Sequence, residues 1–214
     1  MEGSGGIRRL LPVAALLCAL VAGLVIPATA PSGDRLVRCQ GKRTTIQGTN
    51  GNNAIVGTPG SDVIHGRAGA DVIESRGGND LICAGQGDDV VRGGIGADLI
   101  FLDAGGDVGH GQADRDTVRG GRHDDVITGG GDKDTLNGQD GPDKVSGGGD
   151  NDRLFGVLGA DILNGEGGDD RHFGGPGTDG FNAGPGMDYC DGGPGDDVDL
   201  EIPDGECEQS ESIP

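Results

Sequence analysis

Residues 57–101 read GTPGSDVIH GRAGADVIE SRGGNDLIC AGQGDDVVR GGIGADLIF, five nine-residue units with no insertion or deletion. Each carries Asp at its sixth place (Asp62, Asp71, Asp80, Asp89, Asp98) and Ile or Val at its eighth. The same frame runs from Gly48 to Leu200, seventeen units in 153 residues. Position 6 stays Asp through Asp107, Asp116, Asp125, Asp134, Asp143, Asp152, Asp161, Asp170, Asp179, Asp188 and Asp197, sixteen units in all; the first unit has Asn53. Positions 1 and 4 are each Gly in thirteen units. A disordered polar chain needs no such phase, so the repeat argues for a built scaffold.

Composition says what kind of scaffold. The 214 residues hold 48 Gly, 33% apolar residues and 2% aromatics, with a net charge of −20. That Gly content is roughly three times the ordinary share of about 7%. Gly loses the most backbone freedom on folding, and so thin an apolar fraction cannot offset it with a conventional core. The acid excess repels phosphates and argues against nucleic-acid partners. Within the unit, Gly at position 4 suits a tight turn that demands positive φ. Asp at position 6 offers a hard anionic oxygen, which fits calcium rather than copper or zinc. Simple turn capping would not demand Asp over Asn so consistently.

The units resemble the RTX (haemolysin-type) calcium-binding nonapeptide repeat, over about five-sixths of the chain beyond residue 30. The resemblance implies an all-β fold, a right-handed parallel β-roll (β-solenoid) with two repeats per coil. Each repeat would give a six-residue turn and a three-residue strand. Multiple Ca2+ ions would lie between turns stacked on the same side, held by the sixteen position-6 aspartates and by backbone carbonyls. With eighteen residues per coil, odd and even units form separate sheets. Position 8 then points inward, Ile55, Ile73, Val91 and Ile127 from one side and Ile64, Ile82, Ile100 and Val118 from the other. A core one side chain wide needs metal to stabilise it, since Asp residues eighteen apart would repel without a cation between them. Fifteen such pairs set the ceiling on sites.

Departures from the pattern mark expected weak points. In unit seven Leu102 and Asp103 replace leading residues and Gly109 takes the inward place. Position 4 becomes Asp114, His123, Asp132 and Asp150, of which His123 is expected to be strained. His172 and Asp199 replace apolar residues at position 8. Segment 102–119 and the last coil are therefore expected to bind calcium least well, and Asp143→Ala to harm calcium-dependent folding more than Asp116→Ala.

The ends differ from the middle. Arg8 and Arg9 precede an apolar run from Leu10 to Ile26, followed by Ala28-Thr29-Ala30. Residues 1–30 read as a secretory signal peptide, since the run sits at the lower length limit for a membrane span and ends on small residues. Removing them leaves 35 acidic and 14 basic residues, a charge of −21, and predicts a secreted, extracellular protein without membrane insertion of the mature chain. An N-terminal signal departs from the C-terminal one that the resemblance implies. Segments 31–47 and 201–214 flank the repeats as caps. Cys39, Cys83, Cys190 and Cys207 read as two disulfides in an exported chain, where three pairings are possible. Their positions favour Cys39–Cys83 and Cys190–Cys207, fastening a cap at each end.

No catalytic motif appears: His65, His110, His123 and His172 are scattered and no Ser stands in G-x-S-x-G. The segments outside the repeats are too short for a catalytic domain, so the chain is read as a calcium-binding protein and not an enzyme. The alternative is a calcium-stabilised adhesion or scaffold module using an outer face. Position 9 of even units places Phe101, Phe155 and Phe173 there; scattered surface aromatics is the preferred reading, a small apolar patch the other. No protein or glycan partner is specified. Ice binding would want a Thr ladder, and that position reads His65, Cys83, Phe101, Arg119 and Asn137 instead.

Overall fold

The computed structural model describes residues 24–26, 38–199 and 208–209. Among them there is no helix. Two ten-stranded parallel sheets run the length of the repeats. One begins Leu24–Ile26, Asn53–Val56, Val72–Glu74, Val90–Ile95, and the other ends at Glu208–Gln209 after starting with Ile46–Gln47, Val63–Ala68, Leu81–Gln86. The register step is eighteen residues: Val63 faces Leu81, and Leu81 faces Leu99. Odd and even units thus separate into the two walls of a parallel β-roll. Leu24–Ile26, inside the leader expected at 1–30, pairs with Asn53–Val56 at the edge of the odd wall. Arg8, Arg9, Ala30 and segments 31–37, 201–207 and 210–214 lie outside the described residues.

The strands are longer than three residues. In Val63–Ala68, Val90–Ile95, Thr135–Asp140 and their counterparts they cover positions 7–9 and continue through positions 1–3 of the next unit. Inward and outward faces alternate accordingly, so position 1 also points inward beside position 8. From Ile55 to Leu163 the position-8 side chains of Ile, Val and Leu are all 0–1% exposed. They form one continuous cluster with Leu102 and Phe181.

Unit seven keeps this cluster filled. Leu102 at position 1 is fully buried, and a Cβ added at Gly109 would meet Leu102 Cδ1 at 2.9 Å and Val118 Cγ1 at 3.2 Å. The extra bulk at one inward place matches the missing bulk at the other. Later in the roll, buried His172 packs its ring against Phe181 at 6.2 Å between centroids, tilted by 14°.

Cys39 and Cys83 are joined. This is one of the two expected pairs, and it ties the preceding hairpin to the even wall near the N-terminal end of the roll. The antiparallel hairpin Arg38–Cys39 and Lys42–Arg43 lies along the outer side of the even wall, where Cys39 packs with Leu81, Cys83 and Phe101, flanked by Val63 and Leu99. The hairpin covers apolar side chains at positions 7 and 9 here, whereas position-7 Val72, Val126 and Ile162 on the odd wall are exposed. Cys207 lies outside the described residues. Its expected partner Cys190 is buried, with Sγ 3.6 Å from His172 Nδ1.

Candidate metal centre

The position-6 aspartates form two buried rows, one along each edge of the roll. Asp71 through Asp188 are 0–3% exposed and Asp62 7%. Within a row, each Asp donates its backbone N–H to Oδ1 of the Asp one coil on: Asp62 to Asp80 at 2.7 Å, Asp125 to Asp143 at 2.8 Å, Asp179 to Asp197 at 2.9 Å. Oδ1 is thereby satisfied throughout. Oδ2 is not. At thirteen consecutive positions, Asp71 to Asp179, it is buried without a hydrogen-bond partner. An ionised oxygen buried and unpaired costs several kcal/mol, at least the ~1–3 kcal/mol of a neutral group. A repeated orphan of this kind fits a cation, whose charge would satisfy it.

Two features accompany the orphan, of which the backbone conformation at position 2 was hard to read in the sequence. Position 2 adopts positive φ in units three to seventeen, including Arg67 at 88°, Gln139 at 82° and β-branched Val157 at 91°. In units one and two it does not. There Thr58 donates both its N–H (2.7 Å) and its hydroxyl (2.9 Å) to Asp62 Oδ2, and Thr49 N–H reaches Asn53 Oδ1 at 2.7 Å. Those two turns are capped by their own Thr, the bland role set aside for the array at large. From unit three to unit fifteen the orphan Oδ2 and the positive φ at position 2 go together. Position 1 is Gly for a separate reason: a Cβ on Gly66, Gly93, Gly138 or Gly156 would fall on the carboxylate of Asp71, Asp98, Asp143 or Asp161. Position 4 carries the expected positive φ, at Gly69, Gly78 and Gly87 and also at Asp114 (72°), Asp132 (71°), Asp150 (70°) and His123 (78°).

Electrostatics follow from burial. Burial, the largest cause, pushes the carboxyls of Asp89, Asp98, Asp125, Asp143 and Asp152 up to about 7 and that of Asp116 to about 8. The donated backbone N–H opposes the rise, and neighbouring carboxylates along the row add to it. Asp71, Asp107, Asp134, Asp161 and Asp170 reach about 6, again through burial. Asp80, Asp179 and Asp188 move the same way.

The expected weak segment 102–119 keeps the pattern. Asp89 N–H donates to Asp107 Oδ1 at 2.7 Å and Asp98 N–H to Asp116 Oδ1 at 2.8 Å, with both Oδ2 atoms orphaned. Among the described residues, no three His, Cys, Asp or Glu side chains converge on one point. A cation held here would draw on carboxylates of adjacent coils and on backbone carbonyls, all hard oxygen donors that suit calcium.

Parallel walls of eighteen-residue coils with an acidic row along each edge define a β-roll whose turns are built around buried carboxylates. A family model described as RTX calcium-binding nonapeptide repeat (four copies) matches residues 47–82, 84–108, 110–145 and 146–181. That is more than half of the chain, and the chain belongs to this family of calcium-binding repeats. No curated protein matches it.

Proposed function

We propose that this is an exported protein whose position-6 aspartates hold multiple calcium ions between coils and whose folding is coupled to that binding. The observation that carries the reading is the run of thirteen orphaned Oδ2 atoms in register. A bound calcium supplies two positive charges that neutralise neighbouring carboxylates and cross-link successive coils. The chain's own residues do the rest. Position 1 Gly leaves room beside the carboxylate, and positive φ at position 2 accompanies the open Oδ2 in units three to fifteen. The backbone N–H of the preceding coil fixes Oδ1, so Oδ2 is the oxygen left for an ion. Asp71 to Asp179 are the residues best placed to act. Asp62 has its Oδ2 already satisfied by Thr58, and Asp188 and Asp197 close the rows.

Secretion rests on the leader-like residues 1–30, and cytosol poor in calcium would keep the acidic repeats expanded for translocation. Among the described residues no helix is long and apolar enough to cross a membrane. A binding rather than a catalytic role rests on the absence of H-E-x-x-H and G-x-S-x-G from the sequence. The test is far-UV circular dichroism of the protein in EDTA and in millimolar calcium. A large gain of β-structure is expected, and a spectrum indifferent to calcium refutes coupled folding.

The scaffold reading gains a specific observation. Phe155 and Phe173 are not scattered: their rings stack at 4.9 Å and 10°, and Tyr189 continues the row at 5.9 Å from Phe173.

A further inference from the structure

Beside that aromatic row lies a groove of about 580 Å³ on the shoulder of the even wall. Four of the sixteen Lys and Arg of a chain with net charge −20 line it: Arg115, Lys133, Arg153 and Arg171. All four are exposed. The salt bridge among the described residues, Arg92 with Glu74 at 3.6 Å, lies elsewhere, on the odd wall. Arg115 and Lys133 occupy position 5, which is followed along the groove by Asn151, Asp169 and Met187. Four coil steps of about 4.8 Å make this row about 19 Å long.

Arg153 and Arg171 occupy position 7 and pair in register, as do Phe155 and Phe173 two residues on. Positions 7 and 9 face the same way from one strand, so each Arg has a ring beside it. The position-6 carboxylates Asp134, Asp152, Asp170 and Asp188 also border the groove. The position-4 aspartates Asp132 and Asp150 are not among the groove's lining residues. With calcium on the position-6 row, four cations face the one remaining lining carboxylate, Asp169. This step rests on the calcium reading above.

We propose that the shoulder binds a linear uronic-acid polysaccharide, its carboxylates paired with the two arginines, Arg115 and Lys133, and its sugar rings packed along Phe155, Phe173 and Tyr189. The chemistry of the lining selects this partner. A long, shallow groove of constant cross-section fits an extended polymer. Arg pairs bidentately with carboxylates, and such charge-assisted bonds are about twice as strong as neutral ones. Asn151 and Asp169 add a donor and an acceptor for hydroxyl groups, which a polyol uses and a phosphate polymer does not. Duplex DNA carries a charge about every 1.7 Å and would meet the surrounding acid.

The test uses the calcium-loaded full chain and a hyaluronan oligosaccharide in isothermal titration calorimetry, with dextran and duplex DNA as comparison ligands. Wild type is expected to bind hyaluronan with an affinity that falls as salt rises, and to bind the comparison ligands more weakly. R153A/R171A should lose about tenfold or more, the scale of two charge-assisted bonds. F155A/F173A should weaken binding while leaving its salt dependence in place. Arg92→Ala, on the other wall, should bind as wild type does. Equal binding by wild type and R153A/R171A, or equal affinity for dextran or DNA, overturns the proposal. Each sample is also titrated with calcium by circular dichroism. Loss of the calcium response in wild type refutes the calcium reading, whereas an intact response without hyaluronan binding refutes the groove alone.

Discussion

Replacing Asp143 by Asn keeps the shape of the side chain and removes its charge, which separates the two roles a buried aspartate can have. Asp143 Oδ1 accepts the N–H of Asp125 at 2.8 Å, and its own N–H donates to Asp161 Oδ1 at 2.8 Å. An Asn oxygen can accept the first bond and the backbone retains the second. The charge is another matter. Two carboxylates one strand spacing apart, about 4.8 Å, repel by about 3.5 kcal/mol at an effective dielectric of about 20. Asp143 has such a neighbour on each side, so its full ionisation in the metal-free roll costs up to about 7 kcal/mol. Burial and then Asp161 accordingly push its carboxyl up to about 7. A folded-state pKa above the unfolded value means that stability is intact below about pH 4 and is lost as pH rises through about 7. Metal-free Asp143→Asn should therefore be more stable than wild type at pH 8 and equal to it at pH 4. In calcium the sign reverses, because the variant lacks an anionic ligand that two neighbouring sites share. Circular dichroism in EDTA and in calcium at both pH values reads all four cases, as the folded fraction where the metal-free chain is largely unfolded and as a thermal or urea midpoint where it is folded. If the variant is destabilised at pH 8 in EDTA as much as in calcium, Asp143 is a turn cap and the charge argument is wrong.

Three further outcomes follow from the packing. Leu102→Ala should cost about 2–5 kcal/mol as a buried truncation, and Gly109→Val alone should overpack, whereas Leu102→Gly with Gly109→Val should recover much of the loss in urea unfolding. Cys83→Ser opens a loop spanning 44 residues, and chain entropy puts the loss at about 4 kcal/mol, read by calorimetry against the disulfide-bonded wild type. Asp116→Ala and Asp143→Ala should shift the calcium midpoint alike, within about twofold or ~0.4 kcal/mol, because both carboxylates share the same ladder geometry; a clearly smaller effect at Asp116 would restore the ranking expected from the sequence.

The period carried the repeat frame, the ligand position and the inward row of Ile, Val and Leu, while the two parallel walls and the eighteen-residue coil came from the resemblance to the RTX repeat. What escaped was information that does not reside in residue type. Position 2 takes positive φ whether it holds Gly94, Arg67, Gln112 or Val157, because the neighbouring coils impose the conformation and the side chain merely points out. Nothing in those letters announces it. Leu102 looked like a defect since its partner, Gly109, is seven residues away and the complementarity exists only across the core. The Phe155–Phe173 stack needed the register to be known. The side-lying hairpin had a legible trace: Leu81, Cys83, Leu99 and Phe101 crowd outward positions with apolar residues that call for a cover. The Thr of units one and two was legible too, as Thr49 and Thr58 precede Asn53 and Asp62 by the four residues of a capped turn.

Those two Thr-capped turns give the roll a direction. In a solenoid each coil rests only on its neighbours, so order grows from whichever end is cheapest to start. At the N-terminal end Asn53 and Asp62 have no carboxylate oxygen waiting for an ion, and the Cys39–Cys83 bridge holds a hairpin across the first even strands. That end is a template which can exist before calcium arrives. Under the calcium-coupled folding proposed above, each later coil would find a finished edge to dock on, and structure would grow toward the C-terminus one ion-dependent turn at a time.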